Sequence, residues 1–283
     1  MFYNFLKLYD LFKERNIENP LDETLKAFNI LSDGRIHKID QAFSGKDQSD
    51  LESIVSKRET GMPIEYALGL GRFFDQTFIC EPGALIPREE TELLVRVALD
   101  NIKKLPSESV LNVVDMGTGC GSIAISIALN TKATQLFASD LNKETVAIAQ
   151  KNITKFQLEN RITLFQGDLF APFEGQGLEE KIDMIVCNPP YIPSTSLKKM
   201  AAEIIDYEPV EAFNGGSFGI EFYRRLIQSS LIFLKPQGFL VFEIGVGQEK
   251  LVTRIFTKNK GYKNLEYFDD GENVRVISAQ KEA

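Results

Sequence analysis

From about Val110 onward, short apolar runs alternate with stretches of helical periodicity, and this limits the fold more than any other feature of the chain. Residues 110–116, 135–140, 162–166, 182–187 and 238–244 read as strands, and two more are expected near 264–268 and 274–279. Between them, residues 122–129, 143–156, 221–234 and 248–257 read as helices. A helix inserted between two strands returns the chain to the end where it started, so the strands pair in parallel. Such a sheet has helices on both faces. The predicted fold class is α/β, with a mostly parallel seven-stranded sheet and a small helical domain ahead of it.

The first 60 residues have a different pattern. Phe2, Phe5, Leu6, Tyr9 and Phe12 suggest one helix with an apolar face. Residues 21–31 suggest a second and residues 46–58 a third, the last with Ser49 and Glu52 spaced as a capping box. Phe73, Phe74, Phe78 and Ile79, set among glycines and prolines, suggest a short hairpin. The expected division is a helical domain at 1–62, a hairpin connector at 63–90 and a main domain at 91–283.

Composition narrows the function classes. With 32 basic and 40 acidic residues the net charge is −8, which disfavours a protein that grips phosphate backbones, so no stable nucleic-acid binding is expected. Cys80, Cys120 and Cys187 are far apart and lack metal-ligand spacing, which fits a reducing, cytoplasmic location. His37 is the only histidine, so a multi-histidine metal site is excluded and no metal is expected. The start of the chain is apolar but broken by Lys7 and Asp10, without a basic leader or cleavage site, so no signal peptide is expected. No apolar run is long enough to span a membrane.

Two motifs sit at predicted strand ends. In Asp115-Met116-Gly117-Thr118-Gly119-Cys120-Gly121, the glycines permit a sharp turn and a close ligand approach. Gly117, Gly119 and Gly121 are followed by Ser122, where the dinucleotide fingerprint has glycine in sixth position. Asp115 would repel a pyrophosphate and tolerate a cationic or amino-acid group. Asp140 ends the second predicted strand, where a carboxylate can accept both ribose hydroxyls. Asp168 follows the third, within reach of an adenine amino group. Either acid alone would serve as a turn or cap residue. Three acids at successive strand ends around a glycine loop fit a nucleoside without phosphates, and S-adenosylmethionine is such a ligand.

The second motif is Asn188-Pro189-Pro190-Tyr191, directly after the run 182–187. Neither proline has an N–H to donate, so the chain must leave the sheet here. Asn188 is thereby held beside a stiff turn at the carboxyl end of a strand, where open α/β sheets place their ligand crevices. The amide oxygen of Asn188 and the Pro189 carbonyl offer two acceptors for the N–H groups of a planar nitrogen. Tyr191 offers a ring for it to lie on.

With these residues in view, the chain resembles the HemK family of class I S-adenosylmethionine-dependent methyltransferases, which modify a glutamine of peptide chain release factors. The resemblance runs from about Gly61 to the end. It rests on Gly61-Met62-Pro63-Ile64-Glu65-Tyr66, on Leu85-Ile86-Pro87-Arg88-Glu89-Glu90-Thr91-Glu92, and on the two motifs above. It extends to Tyr207-Glu208-Pro209, to Gly215, Gly216 and Gly219, and to Glu243-Ile244-Gly245 with Gln248. Glu89 stands where the family usually has proline, and the helical region before Gly61 is shorter than usual.

The resemblance implies a Rossmann-like methyltransferase sheet, S-adenosylmethionine as cofactor and a release factor as partner. By the same resemblance Asp140 holds the ribose, Asp168 lies near the adenine, and Gly117 and Gly119 pass under the methionine part. Asp115, Gly121 and Asn188 complete the cofactor set. Asn188 and Pro189 accept from the target amide and, with Pro190 and Tyr191, form the substrate cradle, Tyr191 packing on the amide plane. It also implies that the helical region helps dock the protein substrate. Three other readings remain: an N-methyltransferase for a different amide or amine, a nucleic-acid adenine methyltransferase, and a binding module that kept the fold without catalysis. Oligomeric state is not legible in the sequence.

Overall fold

A helix buries a stripe only where apolar side chains recur three and four residues apart, and this rule selects the core of the N-terminal helices. The structure, a computed structural model, describes residues 2–32, 48–106 and 110–283. His37 lies outside them. Contacts divide the chain into two units, Met1–Pro87 with Met200–Pro209, and Arg88–Lys199 with Val210–Ala283.

In the first unit, helices Phe2–Glu14, Pro20–Leu31 and Gln48–Glu59 enclose a core that includes Leu8, Phe12, Ala27, Ile30, Leu51 and Ile54. Leu6, expected on the apolar face, is 50% exposed, and Leu8 is buried instead. Phe5, Leu8, Tyr9 and Phe12 complete one stripe, and Leu6 falls about 100° around the helix from Phe5. Ser49 lies inside the third helix rather than ahead of it. Arg58 makes a two-pronged ion pair with Glu23, at 2.8 and 3.1 Å, and also meets Glu203 and the Met62 carbonyl.

The segment expected as a connector contributes to this core through Ile64 and Ala67 of the helix Ile64–Leu68. Gly69, at φ 70°, ends that helix in the left-handed conformation. Strands β1 (Leu70–Phe73) and β2 (Gln76–Ile79) follow and pair antiparallel. Phe74 and Asp75 both have positive φ, the requirement of the two-residue turn whose twist matches a hairpin. In the same unit the Glu208 carboxylate accepts the Ile86 N–H at 3.0 Å, and the Tyr207 hydroxyl bonds to Thr60. The Tyr207-Glu208-Pro209 motif thus braces the loop of this unit that ends at Pro87.

The second unit holds the sheet. Its strands are β3 (Leu111–Met116), β4 (Thr134–Asp140), β5 (Ile162–Gln166), β6 (Ile182–Cys187), β7 (Leu234–Glu243), β8 (Tyr262–Asp269) and β9 (Val274–Lys281). Their order across the sheet is β5-β4-β3-β6-β7-β9-β8. The first five strands run parallel, and β9 pairs antiparallel with both β7 and β8. The fold is therefore α/β with a seven-stranded, mostly parallel Rossmann-like sheet.

Every residue of β6 is buried, as a central strand covered on both faces requires. β7 starts at Leu234, four residues before the expected Gly238, with a register shift against β6 between Ile182 and Met184. The Lys235-Pro236-Gln237 stretch is polar and exposed at two of its three positions, which hides the strand from a periodicity reading. The helix Glu92–Lys104, with Leu94, Val95, Val97 and Ala98 buried, was not read from the sequence.

Candidate active site

Met116 lies opposite Ser139 and Cys187, and Cys187 lies opposite Phe242. The carboxyl ends of the parallel strands therefore form one edge. The chain proceeds from β3 through β4 to β5 on one side, then places β6 and β7 on the other. The direction reverses between β3 and β6, and a crevice opens at such a switch point. The glycine loop follows β3 and Asn188 follows β6, so the two motifs lie on either side of this switch point.

On the β3 side, Gly117, Gly119 and Gly121 all have positive φ, at 69°, 57° and 88°. A Cβ added at Gly117 or Gly119 would meet nothing within 4 Å, so the loop backbone borders open space. A ligand can approach this backbone directly. The helix Ser122–Asn130 begins immediately after the loop and points its N-terminal N–H groups back toward it.

The three acids have different surroundings. Asp115 is wholly buried beneath the loop. Its Oδ2 accepts from the Thr118 hydroxyl at 2.6 Å and the Ala124 N–H at 3.1 Å, while its Oδ1 has no protein partner among the described residues. Burial pushes this carboxyl up to about 7, against the opposing pull of those two donors. Asp140 ends β4 and accepts the Gly119 N–H through Oδ2 at 2.9 Å, tying the loop to the next strand. Burial raises its pKa as well. Asp168 sits on the rim, half-exposed, in an ion pair with Arg225 at 2.6 Å. Open space over Gly117 and Gly119, an orphaned carboxylate oxygen below, and two acids at the next strand ends suit a nucleoside with a cationic tail. The residues present fit S-adenosylmethionine.

On the β6 side, Asn188 is partly buried and Pro189 is buried. Asn188 Nδ2 donates to the Thr91 hydroxyl oxygen at 2.9 Å, and Thr91 donates to Glu243 Oε2 at 2.7 Å. The Tyr191 hydroxyl donates to Glu243 Oε1 at 3.1 Å, and Arg275 donates to the same oxygen at 3.1 Å. Glu243 is 1% exposed. Burial pushes its carboxyl up, and the hydrogen bonds from Thr91, Arg275 and Tyr191 pull it back. Among the described residues no donor pairs with Asn188 Oδ1 or with the Pro189 carbonyl. Both acceptors are thus unclaimed among the described residues.

The later glycines shape the path of Tyr191. A Cβ on Gly219 would collide with the Tyr191 carbonyl oxygen, one on Gly215 would approach Tyr191 Cα to 2.8 Å, and one on Gly245 would approach the Tyr191 ring to 3.0 Å. Gln248 Nε2 donates to the Tyr191 carbonyl at 3.0 Å, and its Oε1 accepts from Gly245 N–H and from the Tyr223 hydroxyl. The Glu243-Ile244-Gly245 and Gln248 motif therefore holds Tyr191 at its ring, its hydroxyl and its backbone. Thr91, Arg275 and Tyr223 were not singled out in the sequence. Thr91 lies within the 85–92 motif, and Arg275 and Tyr223 carry no local signal.

Comparison with known proteins places the chain among methyltransferases. Residues 91–264 match the profile of the methyltransferase small domain. The release factor glutamine methyltransferase of Clostridium acetobutylicum is 32% identical, over 97% of this chain and 96% of its own. That of Bacillus cereus is 31% identical, over 88% of this chain and 87% of its own. A methyltransferase structure from Pyrococcus furiosus, 18% identical, superposes with a TM-score of 0.52 over 81% of this chain and all of that one, a likeness of fold.

Proposed function

Because the chain belongs to the family of release factor glutamine methyltransferases, we propose that it transfers the methyl group of S-adenosylmethionine to the side-chain amide nitrogen of a glutamine in a peptide chain release factor. The observation that carries this reading is the pair of unclaimed acceptors, Asn188 Oδ1 and the Pro189 carbonyl, beside a ring held at three points. An amide NH₂ presents two N–H groups in one plane, which matches two acceptors and a flat face.

Gly117, Gly119 and Gly121 would carry the methionine part, with Asp115 buried below. Asp140 would hold the ribose, Asp168 would lie by the adenine, and Asn188 would border both ligands. When bound, the cofactor supplies an electrophilic sulfonium methyl. The difficulty on the protein side is the nucleophile, since an amide nitrogen shares its lone pair with the carbonyl. As that nitrogen pyramidalises, its N–H groups become more acidic and carry more positive charge. Asn188 and Pro189 accept from them most strongly at that point, which lowers the barrier rather than the ground state. Tyr191 lies along the amide plane and limits rotation, and Pro190 stiffens the turn, which favours in-line approach. As the N–C bond forms, the methyl–sulfur bond breaks with its electron pair returning to sulfur, so the thioether would leave. No histidine is needed, because the now cationic and strongly acidic nitrogen loses its proton to water.

Residues 1–62 would serve in docking the protein substrate, and the work would be done in the cytoplasm. No helix among the described residues is long and apolar enough to cross a membrane. The test offers labelled cofactor to purified release factor and, in parallel, to small primary amides, with the modified residue located by tandem mass spectrometry. Label on a glutamine amide of the release factor is expected. Label on small amides with none on the release factor would replace the proposed substrate.

A further inference from the structure

We infer that Thr91, Glu243 and Arg275 are positioning residues that decide which end of the Asn188 amide faces the substrate. This deepens the proposed reading and rests on it for the identity of the substrate. An asparagine amide has nearly the same shape in its two flipped orientations, so packing alone discriminates poorly between them. Hydrogen-bond polarity discriminates well, because one end is only a donor and the other only an acceptor.

The proton inventory admits one arrangement. Glu243, as a carboxylate, can only accept. It faces the Arg275 guanidinium, which can only donate, at 3.1 Å. The Thr91 hydroxyl has a single proton, which goes to Glu243 Oε2 at 2.7 Å. Thr91 can then offer Asn188 nothing but a lone pair, and at 2.9 Å it accepts from Nδ2. Oδ1 is thereby turned away from Thr91 and left as an acceptor.

Tyr191 obeys the same logic. Its proton goes to Glu243 Oε1, so its oxygen accepts from Arg275 at 3.4 Å. One buried carboxylate therefore orients both the amide and the ring of the cradle. The topology brings the parts together: β6 and β7 run parallel so that Asn188 and Glu243 leave the same edge, and β9 pairs antiparallel with β7. Reversing the chain of donors would present Nδ2 to the N–H groups of the target amide, donor against donor.

The test compares Thr91→Val, which keeps the shape and loses the hydroxyl, with Thr91→Ser, which keeps the hydroxyl and loses the methyl. Thr91→Val should lower kcat by about a hundredfold, with KM for the protein substrate changed less and S-adenosylhomocysteine affinity unchanged. Thr91→Ser should stay within about threefold of the parent, since it restores the same polarity. Full turnover in Thr91→Val, or an equal loss in both variants, overturns the relay in favour of a packing role. The side-chain amide signal of Asn188 in 15N–1H spectra gives a readout that needs no substrate. Thr91→Val should shift it and Thr91→Ser should leave it in place, and a signal unmoved by Thr91→Val contradicts the inference. If the parent protein methylates no glutamine, the substrate assignment fails, while the spectra still decide on the relay.

Discussion

On the β6–β7 side of the switch point, Asn188 and Tyr191 are tied down by Thr91, Glu243, Arg275 and Gln248. On the β3–β4–β5 side, Gly117 and Gly119 border open space, Asp168 is half-exposed, and Asp140 gives one carboxylate oxygen to the Gly119 N–H of the loop. One side is built before any ligand arrives, and the other is shaped for a ligand to complete. The difference matches the two tasks proposed for them. A cradle that acts on a transition state must already be oriented, since reorganisation at the moment of reaction would cost rate. A cofactor site that must release its product after each turnover needs backbone access and acceptors, with fewer constraints.

This contrast can be broken by substitution. Asn188→Ala should have the largest effect, a loss in kcat of about a thousandfold, read in a single-turnover methylation assay. A loss below tenfold would deprive the cradle of its role. Asp140→Ala should act on the other side, weakening S-adenosylmethionine by about a hundredfold as a charged partner of the ribose is lost. Its kcat at saturating cofactor should be nearly unchanged, and an unaltered affinity would remove Asp140 from the site. Gly117→Ala should be milder, lowering cofactor affinity about tenfold, because a side chain at φ 69° is strained and would fill the open space.

The smallest effect concerns stability. The Asp115 carboxyl, pushed up to about 7 by burial, lies above its value in the unfolded chain. Its contribution is complete at pH below about 4 and is lost as the pH rises through about 7. Thermal melts from pH 5 to 8 should show the parent losing a few degrees relative to Asp115→Asn, by roughly the usual conversion of stability to melting temperature. Parallel curves would show that Asp115 does not carry this titration.

The two sides also differ in how far they can be read from sequence. The glycines and acids of the proposed cofactor side announce themselves because each sits just after an apolar run, and strand ends are local features. The same holds for Asn188-Pro189-Pro190-Tyr191, where two prolines mark the exit from the sheet. The partners of the cradle are not local. Thr91 lies 97 residues from Asn188 and 152 from Glu243, and Arg275 lies 32 beyond Glu243. Their meeting depends on strand order, on β7 beginning early at Leu234, and on β9 inserting antiparallel beside it. None of these has a sequence period. The misreading of Leu6 for Leu8 has a similar origin: with so many apolar residues in the first helix, periodicity allows neighbouring stripes, and the packing of Phe12 and Ala27 selects one.

The separation of the two sides is tested most directly by calorimetric titration of S-adenosylhomocysteine into Asn188→Ala. A dissociation constant within about threefold of the parent, equivalent to less than about 1 kcal/mol, is expected from a residue whose main work is on the substrate amide. An affinity loss as large as that of Asp140→Ala would contradict the division, and would make Asn188 chiefly part of the cofactor site.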